Sequence, residues 1–437
     1  MPFLTSETDP KTTPKHRFNG RKLGSPNARW RWSARRLSVL LLVLGSFSAL
    51  ASLARASDHL DSPSTVANPQ ADVADVYAWM SPEGRQLNLA MTVQGHTFSN
   101  KVQYVLHVDS GKVFGQTTAS TAIECHFDAA SAIKCEVGKL DSASGDPTNP
   151  AGLEGHNHLF RVYAGLRDDP FYNNIKGLLG AYQAATQATK KKNAIVDTAG
   201  CAHFDETTAK EIHNQMTHTD GGPAQNFLGD WTVSAIVISV DLSAVSSGGK
   251  LLAVWGTTSS AAGKPLDRMA RPFVTNTLLG VAPFSTDDSS GLRRQEFNEA
   301  PSGAAAGFIP DLQKSLAFQD SLDGRCGNQL IAGATESPSR YSALAKVFAD
   351  DRLWVNSASS VCTQFFAVEL ASLGSTKTPT TDCGGRAPTY DTSNVWRSLV
   401  IAGTTSGVSD GLPQDEHRPS ATVFPFLAAP DPHGVNH

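Results

Sequence analysis

The amino-acid sequence predicts an α+β fold, with a predominantly antiparallel β-sheet or β-sandwich core and with inserted and C-terminal helices. Two early segments alternate apolar and polar residues with the period of a strand. Two later segments are near-continuous apolar runs, and helical spacings lie between and after them. This order is not a regular βαβ alternation, so an antiparallel arrangement is favoured over a parallel sheet.

The elements follow in order. Leu87, Leu89, Met91 and Val93 alternate with Asn88, Ala90, Thr92 and Gln94, leaving one apolar face. Val102, Tyr104, Leu106 and Val108 repeat the pattern, and Asp109-Ser110-Gly111-Lys112 supplies turn chemistry. Val233 to Val240 and Leu251 to Trp255 do not alternate, which fits strands covered on both faces. Ile175, Leu178, Leu179 and Tyr182 share one helix face, and Lys190, Lys191 and Lys192 complement the negative pole of that helix. Ala209, Ile212, His213 and Met216 repeat the spacing after a capping residue, Asp205. This places His213 on an apolar stripe, as a core histidine. Three more helical patterns run from Tyr341 to Phe348, from Cys362 to Leu373 before Gly374, and from Val395 to Ala402 before Gly403. Segments 140–155, 257–266, 281–310 and 404–420, rich in Gly, Pro, Ser and Asp, read as loops.

Charge separates the chain into two parts. It has 437 residues with 37 Lys and Arg against 41 Asp and Glu. Residues 1–56 hold 10 of the basic residues but only Glu7 and Asp9 as acids, so residues 57–437 carry 27 basic and 39 acidic side chains. That balance argues against nucleic-acid binding and against docking on an anionic membrane. The apolar stretch Leu37 to Leu53 follows Arg29, Arg31, Arg35 and Arg36 and ends at Ala54-Arg55-Ala56, an A-x-A exit. Basic, apolar and small-residue regions in that order read as an export signal, with one secreted or periplasmic domain at 57–437. No second apolar run of spanning length follows it. All six cysteines lie after the exit, an even count that suggests disulfides; Cys125 and Cys135 are the easiest pair to close, and the other four stay unassigned.

Several motifs taken together resemble one family. They are Ser57-Asp58-His59, the stretch Asp72 to Trp79 with Asp75 and Tyr77, and Arg167-Asp168-Asp169-Pro170-Phe171. Further on come Leu252 to Thr258, Arg268-Met269-Ala270-Arg271-Pro272 running to Asn276, Cys383-Gly384-Gly385-Arg386, and Phe424-Pro425-Phe426-Leu427. The set resembles the secreted bacterial proteins grouped as domain-of-unknown-function family 4331, departing from them at Ala270 and Asn394. The resemblance implies an exported single-domain protein and carries no catalytic residues with it.

Three groups of residues are candidates for chemistry. With cleavage after Ala56 the chain begins Ser57-Asp58-His59, whose amine, two backbone amides and imidazole suit square-planar copper or nickel. Asp58, Asp61, Asp72 and Asp75 crowd the same region, and with Asp168 and Asp169 they offer the hard oxygens that calcium needs. The competing role for Asp75 and Asp168 is capping turns or pairing with Arg167. On a strand His156 and His158 would share one face, as would His107 and Asp109, each a usable ligand pair that lacks named third and fourth partners; the Gly- and Asn-rich segment before His156 favours a surface or loop role for that pair. Copper and calcium are thus the candidate ions. His203 and His218 lack the spacing of H-E-x-x-H, and no Walker loop, nucleophile elbow or dinucleotide fingerprint is present. The expectation is a non-enzymatic exported binding protein, set against a metal-dependent periplasmic or cell-surface enzyme and a structural or adhesive surface protein.

Overall fold

The computed structural model describes residues 60–430, except 129–130, 192–193, 230, 280–287, 302–303 and 375–380. The leader segment and the candidate copper ligands Ser57, Asp58 and His59 lie outside the described residues. The architecture is α+β, with two antiparallel sheets packed face to face. The first sheet has the order β1 (Val73–Met80), β2 (Gln86–Val93), β13 (Thr232–Asp241), β8 (Phe160–Asp168), β7 (Leu153–Glu154). The second has the order β15 (Pro265–Met269), β14 (Leu251–Ser260), β3 (Val102–Gly111), β4 (Ala119–Phe127), β5 (Ile133–Val137), β6 (Asp141–Gly145). Here β14 pairs with β3 along its whole length. Its other edge is shared, β16 (Leu353–Asn356) taking the first half and β15 the second.

The sheets touch where one side chain is missing. A Cβ on Gly256 of β14 would stand 3.0 Å from Val76 Cγ2 of β1 and 3.4 Å from Met91 Cε of β2. Val76 and Met91 are cross-strand partners, so they mark the inner face of the first sheet. Register then decides where the acids go. Val73 pairs with Val93 but Asp75 pairs with Thr92, so the ladder slips by one residue at Ala74. Such a bulge reverses the side-chain alternation and sends Asp75, with Thr92, to the outer face.

That outer face is buried as well. Trp79 packs edge-on against Phe426 at 4.8 Å and donates its indole N–H to the Ala421 carbonyl at 2.8 Å, while Arg161 lies over the Phe424 ring. The C-terminal segment therefore forms a third layer, and the polar residues of β2 face protein instead of water.

Helices lie between the strands. α1 (Pro63–Ala67) precedes β1, and α2 (Ile175–Lys190) and α3 (Glu206–Met216) pack together between β8 and β13. Two short ribbons flank them, β9 (Ile195–Val196) with β10 (Ala202–His203) and β11 (His218–Thr219) with β12 (Gly222–Pro223). Asn174 caps α2 by accepting from Gly177 N, and Asp205 caps α3 by accepting from Thr208 N, as its sequence position suggests. α4 (Leu242–Val245) follows β13; α5 (Asp288–Glu299), α6 (Ile309–Asp320) and α7 (Ser342–Asp350) separate β15 from β16; α8 (Ala367–Leu373) and α9 (Thr392–Arg397) come last. Among the described residues no helix is long and apolar enough to cross a membrane.

Some expectations need correction. Segment 281–310 contains α5, whose charged sequence gives no clear apolar stripe yet buries Phe297 and Asn298. Segment 140–155 holds β6 and β7, and 257–266 is mostly strand. The turn placed at Asp109 to Lys112 comes later, since β3 continues to Gly111. The helix expected from Cys362 begins only at Ala367, because Cys362 is bonded to Cys383 and Phe366 is left-handed at φ 71°.

All six cysteines are paired: Cys125–Cys135 directly across β4 and β5, Cys201–Cys326, and Cys362–Cys383. Bonds of this kind persist in oxidising compartments. Their loops differ greatly, spanning 10 residues for Cys125–Cys135 and 125 for Cys201–Cys326. Chain entropy then predicts that replacing Cys201 and Cys326 by Ser costs about 5 kcal/mol, against about 3 kcal/mol for Cys125 and Cys135. Denaturant midpoints of the two double variants check the order.

Candidate functional site

The acids that crowd the sequence separate into three centres. The first is on the outer face of β1. Backbone bonds run both ways between Ala78 and Arg386, and Gly385 N donates to the Trp354 carbonyl of β16 at 2.8 Å. Gly384 and Gly385 both have φ 63°, and a Cβ on Gly385 would stand 2.2 Å from the Ala78 oxygen. Only glycine gives the chain this path. It delivers Arg386, fully buried, onto the Asp75 carboxylate and over the Tyr77 ring at 4.2 Å. Tyr77 donates its hydroxyl proton to Asp169 Oδ1 at 2.6 Å, and Thr92 donates to Asp169 Oδ2 at 2.6 Å. Two carboxyls share one guanidinium, so burial, the leading cause, pushes the Asp169 carboxyl above its usual range. Asp75 thus pairs with Arg386, and not with Arg167, which lies over Tyr163. With every member buried, this carboxyl pair fastens layers together.

The second centre sits where the start of the described chain docks on β15. Asp61, Asp72 and Asp267 are at most 1% exposed. Leu60 N donates to Asp72 Oδ2 at 2.7 Å, Val73 N donates to Asp267 Oδ2 at 2.7 Å, and Asn298 Nδ2 of α5 donates to Asp61 Oδ1 at 3.2 Å. Arg294 Nη1 reaches the Asp61 carbonyl at 2.9 Å. Asp267 Oδ1 and Asn298 Oδ1 are buried and have no hydrogen-bond partner. Burial first, then the charges of Asp61 and Asp72, push the Asp267 carboxyl far above its ordinary range. A site in this condition takes up either a proton or a cation.

The third centre lies at the end of β8. Asp168, 1% exposed, is 3.0 Å from His417 Nδ1, whose ring is 31% exposed. Asn226 Nδ2 donates to both Asp415 Oδ1 at 3.2 Å and Glu416 Oε2 at 2.6 Å, holding those carboxyls side by side. Burial, then the Asp168 charge, then Glu416 push the Asp415 carboxyl up to about 8.

Among the described residues, one set of three His, Cys, Asp or Glu ligand atoms lies within 4.8 Å of one another: Asp197, His203 and Cys326. It is not a metal centre. Cys326 is bonded to Cys201 and offers no thiolate, and Asp197 is occupied by Arg340 at 2.7 Å and by the amides of Ala199 and Cys201. Asp61, Asp72 and Asp267 stand wider apart as a set, so an ion there would draw them inward.

Of the histidine expectations, the core role of His213 is overturned, while the surface-loop role of His156 and His158 and the strand position of His107 hold. His156 and His158 are exposed in the turn between β7 and β8, with His158 left-handed at φ 57°, so they share no strand face. His213 is exposed, while Ile212 and Met216 carry the buried stripe of α3. His107 does lie on β3 with Asp109, but its ring stacks on Trp255 at 4.7 Å and its Nε2 meets Thr257 Oγ1 at 2.8 Å. Asp267, Asn298, Asp415 and His417 were missed, since each lies far along the chain from the acids it joins. The motif around Arg268 pointed near Asp267 without including it.

Comparison of the chain with protein-family models, with curated proteins and with solved structures finds no match.

Two outcomes are expected from these contacts. Arg386→Met strips the cation from Asp75 and Asp169 and costs about 3–5 kcal/mol near neutral pH. The loss should shrink in acid, where Asp169 takes up a proton, as urea unfolding at two pH values would show. Burial lowers the His107 pKa from 6.5 to about 4. The unfolded chain therefore binds a proton that the folded protein resists. Stability present above the unfolded value is lost as pH falls through the folded one, by up to about 3 kcal/mol. His107→Phe, which keeps the ring stack, should flatten that acid limb of the unfolding curve.

Proposed function

We propose that the chain is an exported, non-enzymatic binding protein of the family 4331 type. It holds a hard divalent cation, calcium by ligand chemistry, at Asp61, Asp72, Asp267 and Asn298. The observation that carries this reading is the pair of buried oxygens, Asp267 Oδ1 and Asn298 Oδ1, left without a hydrogen-bond partner beside two further buried carboxylates. All four donors are oxygen, the ligand type calcium selects, and water completes the six to eight positions it fills. The donors come from the segment before α1, the residue before β1, β15 and α5, so the ion ties four parts of the fold together. Six paired cysteines support export, because an oxidising compartment preserves them.

Isothermal titration of the full chain should show one calcium ion bound, and calcium at about a hundred times its dissociation constant should add about 2.7 kcal/mol of stability. Asp267→Asn, with one charge of three removed, should weaken binding by about tenfold or more. Absence of uptake at millimolar calcium would sink the reading and leave Asp267 as a protonated acid.

A further inference from the structure

The third centre puts two carboxyls on a single amide. Asn226 Oδ1 accepts from Asn173 N and from Leu228 N, each at 3.1 Å, which fixes the carboxamide. Its Nδ2 has two protons to give, and they go to Asp415 Oδ1 and Glu416 Oε2. Asp415 Oδ1 also accepts from Glu416 N at 2.9 Å, while Asp415 Oδ2 is buried and has no hydrogen-bond partner. Glu416 lies against backbone, since a Cβ on Gly229 would stand 2.8 Å from its Oε2. Among the described residues no basic side chain forms an ion pair with either carboxyl. Arg397 meets Asp410, His417 meets Asp168, and Arg418 donates to Gln414 Oε1. The groups that face Asp415 are Asp168 at the end of β8, Glu416 beside it, and the Tyr172 phenol, on which Asp391 and Asp410 also act. Two neighbouring carboxyls with no cation, one of them 8% exposed, do not both ionise. A proton on Asp415 gives the pair the donor it otherwise lacks, and that proton belongs to the pair.

We propose that Asp415 and Glu416 are a proton-operated latch: one shared proton lets both carboxyls stay on Asn226, and its loss to solvent frees segment 412–418 from the end of β8. Deprotonation leaves two like charges on one amide and a third on Asp168, so repulsion opposes the Asn226 contacts. Release stops at Leu412, because Asp410 stays tied to Arg397 and accepts from Leu412 N at 3.1 Å. Burial, then Asp168, then Glu416 raise the Asp415 carboxyl from 3.8 to about 8, so the folded protein holds this proton more tightly than the unfolded chain. The latch is therefore fully closed below the unfolded value, weakens as pH rises, and is lost by about 8. It shares no residue with the calcium centre, so the two readings stand or fall separately.

The test is limited proteolysis of the full chain in excess calcium, with cleavage mapped to segment 412–418, from about pH 5 to about pH 10. Rates are divided by those of a free peptide of the same sequence, which removes the protease's own pH dependence. Linkage to one proton predicts a normalised rate that rises by up to about tenfold per pH unit and levels off above about 8. Asp415→Asn keeps the shape without the charge, so its rate should stay at the low-pH level throughout. Glu416→Gln, at an exposed position, should flatten the rise. Asp168→Asn removes a neighbouring charge but not the pair, so it should keep the rise and move its plateau to lower pH. Circular dichroism should show the variants folded. A wild-type rate that does not change with pH overturns the proposal, as does a folded Asp415→Asn protein that keeps the full rise. Absence of calcium uptake with this pH dependence intact would remove the calcium reading and leave the latch standing.

Discussion

The insertion of Arg386 beside β1 is the contact on which the layered structure depends. The strand Ala78 belongs to is an edge of the first sheet, and β16 is an edge of the second, so both present unpaired backbone groups on the same side of the sandwich. Open edges of this kind invite pairing with other chains. The Cys383-Gly-Gly-Arg386 segment closes both, bonding to Ala78 on one side and to Trp354 and Asn356 on the other. Its cystine bond to Cys362 and its two left-handed glycines hold it in place. The guanidinium then meets Asp75 and stacks over Tyr77, so covering the edge and neutralising a buried acid are the same event.

Much of the scaffold was legible because local pattern and tertiary role agree there. β2, β3, β13 and β14 could be read from periodicity, as could α2 and α3 with their caps. The Cys125–Cys135 bond could be read from proximity. Legibility failed where long-range contacts override the local pattern. α5 is a polar helix held by Phe297, Arg294 and Asn298 packing inward, which no 3.6-residue stripe announces. The helix expected at Cys362 is cut short by a disulfide to a residue 21 positions on. The exposed His213 shows the converse, a residue placed on an apolar stripe by counting that the real helix turns to solvent.

The acidic centres show the same limit more sharply. Asp61, Asp72, Asp75, Asp168 and Asp169 were read as one group, and the fold divides them among three places. A single-residue slip at Ala74 puts Asp75 on the outer face, where Arg386 meets it. Neighbouring positions at the end of β8 send Asp168 to His417 and Asp169 to Tyr77. Strand geometry makes this division unavoidable, because side chains one residue apart face opposite ways. Proximity in sequence is therefore a poor guide to shared ligation in a sheet, although it works for ligands spaced along a helix.

The division also sets what each centre can do. Asp75 and Asp169 receive an arginine and are sealed by the C-terminal layer, so their charge is spent on cohesion. Asp61, Asp72 and Asp267 are just as buried, but their second-sheet neighbour brings another acid in place of a base. Asp415 and Glu416 are held side by side by Asn226, and Asp168 meets the imidazole of His417. Three clusters of like composition thus differ in how the fold sets a basic group beside them: Arg386 directly on the Asp75 carboxylate, Arg294 on the backbone carbonyl of Asp61, and the His417 imidazole at Asp168. Where Arg386 meets the carboxylate the cost of burial is met inside the fold, and where a buried oxygen such as Asp267 Oδ1 has no hydrogen-bond partner that cost is left to a proton or to the cation proposed above.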